Sequence, residues 1–223
     1  NTVYGCTDST AFNYDDQIIT DFIDGRIDIL IGTQMVTKGL DFDNVALVGI
    51  LNADNMLYFP DFRAYERAFQ LMTQVAGRAG RKGKQGQVLI QSFDTEHEIF
   101  SLLKKNAYRI FIYKQLEERK LFSYPPFNRL IGITLKHRNH KKLDDAAHNL
   151  GLILRQSFGN RVLGPEYPTV ARIRNFYHKN ILLKIEQQAS IFEAKNILNS
   201  ILEKMHKNHK YKSIRFVIDI DPV

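Results

Sequence analysis

A single cysteine, Cys6, stands in the 223 residues. That excludes a disulfide framework within the chain and a cysteine-built zinc site, and it fits reducing, intracellular conditions. No run approaches the roughly 18–20 uncharged apolar residues of a membrane-spanning helix. Asn1 to Asp16 lacks the basic start and apolar centre of a signal peptide. A cytoplasmic protein without a membrane partner is expected. The first residue is not Met, which points to a fragment. His137, His140, His206 and His209 show no metal-ligand frame with carboxylates, so no metal site is expected in this chain.

Apolar residues make up 44% and aromatics 11%, enough for a proper core. The length suits one large domain or two of about 100 residues. The net charge of +7 is unevenly spread. Residues 1–94 carry 8 Lys and Arg against 12 Asp and Glu, 95–121 carry 6 against 4, and 122–223 carry 17 against 8. The excess thus lies in the last hundred residues. A basic domain attracts phosphate backbones or acidic peptides, and a surface that is merely soluble is the plainer alternative.

Periodicity divides the chain further. Ile18 to Ile23 reads as the end of a short helix stopped by Gly25. Ile27 to Ile31 reads as a strand, and Val45 to Leu51 as a strand buried on both faces of a parallel sheet. Tyr65 to Ala79 follows as a helix and Gln87 to Gln91 as a strand, an alternation typical of an α/β layered domain. Glu96 to Lys120 carries a helical apolar stripe that ends before Tyr124-Pro125-Pro126, where two prolines forbid continuation. The remainder reads β-α-β-β-α-β: 130–136, 143–158, 169–173, 177–185, 191–206 and 214–220.

Two segments carry chemistry. In Gln74-Val75-Ala76-Gly77-Arg78-Ala79-Gly80-Arg81, helical spacing would put Gln74, Arg78 and Arg81 on one face. Two guanidiniums and an amide there would receive a phosphate oxyanion; a solvated basic helix end is the alternative. The second segment, Gly32 to Phe42 after the 27–31 run, is a glycine-bracketed polar loop. Loops at the carboxyl ends of parallel strands bind ligands. Thr33, Gln34 and Thr37 can donate to a phosphate backbone, and Asp41 can accept from a ribose hydroxyl or an arginine. An ordinary strand-to-helix loop fits it equally. In the basic region, Arg172, Arg174, Tyr177, His178 and Lys179 place cations beside an aromatic. That suits phosphate contact with base stacking, with a polar sheet edge carrying Lys and Arg as the near alternative.

Together the two segments resemble motifs V and VI of superfamily 2 helicases. The stretches 28–42, 51–81 and 124–130, with the ending Asp219-Ile220-Asp221-Pro222-Val223, are more narrowly similar to the PriA family of primosomal replication-restart helicases. The resemblance implies an α/β RecA-like lobe with a parallel sheet, the C-terminal part of lobe 2, over 1–95. It implies a connecting helix over 96–121, and a small α+β S10-like domain over 122–223 that binds DNA and partners. Arg78 and Arg81 would be catalytic fingers on ATP bound to the other lobe, with Gln74, Gly39 and Asp41 toward nucleotide. Thr33, Gln34 and Thr37 would face the DNA backbone, and Arg172, Arg174, Tyr177 and Lys179 nucleic acid in the last domain.

By the same resemblance the intact protein would be an ATP- and Mg-dependent 3′–5′ DNA helicase that acts in replication restart and primosome assembly at stalled forks. Forked and single-stranded DNA, single-strand-binding protein and other primosome proteins would be its partners. No Gly-x-x-x-x-Gly-Lys-Ser/Thr loop and no Asp-Glu-x-His box occur here, so the chain alone is expected to be inactive. Zinc is expected only in the family's cysteine-rich insert upstream of motif V. An isolated nucleic-acid-binding module without motor activity is the alternative reading, and RNA or ribosome association through the S10-like domain a third.

Overall fold

The structure, a computed structural model, describes residues 17–32, 45–80 and 86–222. The chain divides into two units, Asn1–Gln115 and Leu116–Val223.

In the first unit, α1 (Gln17–Ile23) ends where Gly25 takes a positive φ of 71°, as the sequence suggests. Ile27 to Ile31, expected as a strand, forms none. Its isoleucines alternate, but a strand exists only by pairing, and no described segment pairs with it; Ile29 and Ile31 are 67% and 79% exposed. The strand β1 (Leu47–Ile50) pairs in parallel with β2 (Gln87–Ile90). Their connection holds α2 (Asp54–Leu57) and α3 (Ala64–Ala76). The inner stripe of α3, Ala68, Phe69, Met72 and Val75, packs with residues of α4 (Glu98–Lys104) and α5 (Tyr108–Leu121). Phe69 stacks on Phe111 with ring centroids 4.4 Å apart, and burying such a side chain contributes about 1.5–3 kcal/mol.

Two expectations change here. The Val45–Leu51 run is not buried on both faces, for Leu47 is 57% and Leu51 72% exposed. Among the described residues its sheet has only two strands. The single helix expected over 96–120 is two, because Asn106 adopts the left-handed conformation (φ 49°) that ends helices. Its N–H still reaches the Leu103 carbonyl, and that of Ala107 the Leu102 carbonyl.

The second unit is an antiparallel sheet carrying two helices on one face. Its elements are β3 (Asn128–His137), α6 (His140–Phe158), β4 (Val162–Glu166), β5 (Arg172–Ile173), β6 (Phe176–Glu186), α7 (Ile191–Lys207) and β7 (Arg215–Ile220). The strand order is β4-β6-β3-β7, with β5 paired to β6. Strict alternation sends Ile131, Ile133 and Leu135 of β3, with Ile181, Leu183 and Ile185 of β6, into one core with both helices. Asn139 and Ser190 cap those helices, accepting from the N–H groups of Lys142 and Glu193. The strand expected over 169–173 shrinks to two residues, and β4 was not expected at all. Gly164-Pro165 disguises β4, since proline lacks an N–H for the ladder; the pairing with β6 shifts register across it, at the sheet's edge.

No helix of the second unit covers the other sheet face among the described residues. Gly132, Thr134 and Lys136 of β3 point there opposite Leu182, Asn180 and His178 of β6. The chain's end closes one corner of it. Asp221 accepts from the Leu130 N–H at 3.1 Å while its own N–H donates to the Leu130 carbonyl, and a Cβ on Gly132 would lie 3.4 Å from Pro222 Cγ. The Asp-Pro ending is thus a clasp on β3.

Candidate functional site

Thr33, Gln34, Thr37, Gly39, Asp41 and Arg81 lie outside the described residues. Gln74 and Arg78 are described, and their geometry departs from a shared helical face. α3 stops at Ala76, and the N–H groups of Arg78 and Ala79 turn back to the carbonyls of Val75 and Ala76 three residues behind. Gly80 then leaves with φ 71°, its N–H on the Val45 carbonyl at 3.1 Å. A Cβ on Gly86 would overlap the backbone of Ala79 and Gly80. Glycine at 80 and 86 therefore lets the turn carrying Arg78 press against the starts of β1 and β2. Gln74, exposed in the last turn of α3, lines a recess of about 410 Å³ with Phe69, Thr73, Asn106 and Tyr108.

At the opposite, carboxyl edge of that sheet sits a residue the sequence reading passed over. Asp54 is 9% exposed and accepts from Ser92 Oγ at 2.9 Å and from the Phe93 N–H at 3.0 Å. Burial opposes its charge, but these donors outweigh that and hold the carboxyl below its usual range. Asp54 thereby ties the start of α2 to the loop after β2.

In the second unit the four expected residues separate. Arg172 lies over the Tyr177 ring, 5.2 Å from its centroid, and donates to Asn175 Oδ1 at 2.8 Å. Arg174 and Asn175, with φ of 47° and 67°, form the exposed two-residue turn between β5 and β6. Tyr177 and Lys179 point to the helix side. Lys179 Nζ is 2.6 Å from Asp144 Oδ1 of α6 and lies over the Tyr167 ring. Tyr167 donates to Asp144 at 2.6 Å, and His140 Nδ1 is 3.0 Å from the same carboxylate. Burial and the Asp144 charge raise the Tyr167 phenol far above its ordinary range. Burial alone would raise Asp144, yet Lys179 and Tyr167 hold it low. Lys179 therefore has a partner within the fold, and Asp144 is its counter-ion. Among the described residues no three His, Cys, Asp or Glu gather as a metal cluster, and no helix is long and apolar enough to cross a membrane.

Comparison with known proteins places both units. Residues 5–83 match the model of the helicase conserved C-terminal domain, and residues 120–223 that of the primosomal protein N C-terminal domain. Replication restart protein PriA of Bacillus subtilis is 37% identical over 209 residues, 93% of this chain and 26% of that protein. The PriA of Chlamydia pneumoniae is 36% identical over 220 residues, 97% of this chain and 29% of that protein. For Treponema pallidum the figures are 39% over 180 residues, 80% and 27%. The chain spans about a quarter of the length of these relatives.

Proposed function

We propose, from the premise that this chain belongs to the PriA family of replication restart proteins, that it is the C-terminal portion of an ATP-dependent 3′–5′ DNA helicase for primosome assembly at stalled forks. One observation carries this reading: a helicase C-terminal match and a primosomal C-terminal match follow one another along the chain. The first unit is then part of a RecA-like second lobe, and the second an S10-like domain. The protein would work in the cytoplasm, at the nucleoid.

Arg78 and Arg81 would stabilise charge on the γ-phosphate of ATP-Mg held by another lobe, with Gln74, Gly39 and Asp41 toward the nucleotide. The anchoring of Gly80 to Val45 supports this role, because a finger must be held by its backbone to act at a distance. Thr33, Gln34 and Thr37 would meet the DNA backbone. In the second unit Arg172 and Arg174, exposed near the tip of a hairpin, suit contact with forked or single-stranded DNA. Lys179 would act there only indirectly, through the Asp144 network. Single-strand-binding protein and other primosome proteins complete the partner set, and zinc would belong to a module outside these residues.

Replacing Arg78 or Arg81 by Ala in the intact protein should lower DNA-stimulated ATP turnover by roughly 10³–10⁵-fold and leave fork binding intact. Turnover within about threefold of normal would refute the finger assignment.

A further inference from the structure

The uncovered face of the second unit's sheet carries a group of side chains that no packing requirement explains. Register places Lys136 of β3, Phe176 and His178 of β6, and Arg215 of β7 on this one face, at the end away from the Pro222 clasp, and Arg138, one residue past the end of β3, reaches the same Phe176 ring. Lys136 stands directly opposite Arg215 on one side and His178 on the other. Like charges directly opposite on neighbouring strands disfavour a sheet. Here no carboxylate relieves the pair: no ion pair joins Lys136, Arg138 or Arg215 to any described acid.

Other cations of this unit behave differently. Arg161 bonds Glu186, Lys179 Asp144 and Lys210 Asp145, while Arg155 and Lys184 donate to the carbonyls of Gly164 and Phe122. Arg138 and Arg215 lie instead over the ring of Phe176, 5.3 and 4.9 Å from its centroid. Stacking on a ring satisfies the face of a guanidinium and fixes its plane, and it uses none of the N–H donors along its edge. Phe176, half-buried, thus holds two guanidiniums that both remain exposed to solvent.

We propose that Lys136, Arg138 and Arg215, organised on Phe176, form a phosphate-gripping surface for a nucleic-acid strand crossing β6, β3 and β7. Arginine forks suit phosphate oxygens bidentately. Neighbouring strands lie about 4.8 Å apart, so a nucleic-acid strand crossing them meets this row of side chains one β-strand after another. The next row inward, Thr134 bonded to Asn180 at 3.0 Å, offers uncharged polar groups where the strand would continue. A bound polyanion would also relieve the Lys136–Arg215 opposition. This rests on the reading of the second unit as DNA-binding and deepens it by naming the surface.

The test uses the whole 223-residue chain and a fluorescein-labelled single-stranded DNA, with anisotropy titrations at several salt concentrations. The double variant Arg138→Ala/Arg215→Ala should flatten the log-affinity against log-salt slope by about 1.4, two phosphate contacts at about 0.7 each. Its control, Lys195→Ala/Lys204→Ala, removes equal charge from the exposed side of α7 and should leave the slope unchanged. Phe176→Leu keeps the charge and loses the ring, and should weaken binding roughly two- to fivefold. Circular dichroism confirms the fold of each.

An unchanged slope in the arginine variant, with wild-type binding intact, overturns the surface and leaves the DNA-binding reading standing. Equal losses in variant and control also overturn it. Failure of the wild type to bind at low salt removes the DNA-binding reading itself. A polyglutamate peptide bound more tightly than DNA, and lost in the arginine variant, would replace the nucleic acid by an acidic protein partner.

Discussion

The two units build a sheet-and-helix core from similar residue types, and among the described residues they differ in how completely they close it. In the second, twenty buried side chains from three strands, two helices and the 211–214 turn form one cluster. In the first, eleven do so among the described residues, while Leu47, Leu51 and Leu89 stay more than half exposed. Charge divides the same way, with a net negative first stretch and 17 Lys and Arg against 8 acids after residue 121. A closed core leaves a unit free to use its surface, and the second places unpaired arginines on the sheet face its helices leave bare. Exposed apolar strand faces suit a unit that works against further protein.

Denaturant unfolding with separate probes for each unit tests this difference most severely. Leu150→Ala, fully buried in α6, should cost about 2–5 kcal/mol and displace only the second unit's transition. A shift of both transitions together would mean that the cores are not independent. Lys179→Ala should follow at about 1–2 kcal/mol through the stranded Asp144, with little change in the salt dependence of DNA binding. A loss of salt slope without loss of stability would reverse the role given to it here. Removing a helix cap by Ser190→Ala should cost roughly 1 kcal/mol, again in the second transition alone.

The smallest effect is the pH response of the first unit. The folded carboxyl of Asp54 is held low, so its contribution is present above the unfolded value, near 4. It fades as pH falls through the lower folded value. Asp54→Asn should therefore flatten the first transition's dependence on acid. An unchanged profile would place the acid sensitivity elsewhere.

What the sequence revealed follows from how local each signal is. β3, β6, β7 and both long helices of the second unit are plain from alternation and caps, because each buries one clear face. β4 was hidden by Gly164-Pro165, and the break at Asn106 by a continuous apolar stripe. The 27–31 run failed for the opposite reason: its pattern is right for a strand and its partner is missing among the described residues. In the motif ending at Arg81, the helical spacing that put Gln74, Arg78 and Arg81 on one face overlooked that glycine ends helices. Arg138 and Arg215 stand far apart in sequence and meet only through the pairings of β3 with β6 and β7. No local pattern announces them.

On the proposed function, the second unit binds DNA and the first is only part of a motor. ATP hydrolysis by the purified chain, measured with forked DNA added to saturation, tests this most directly. The expected result is bound DNA with turnover no higher than in the absence of protein. DNA-stimulated turnover that co-purifies with the chain and vanishes in Arg78→Ala would contradict it, for the motor would then be complete within these residues.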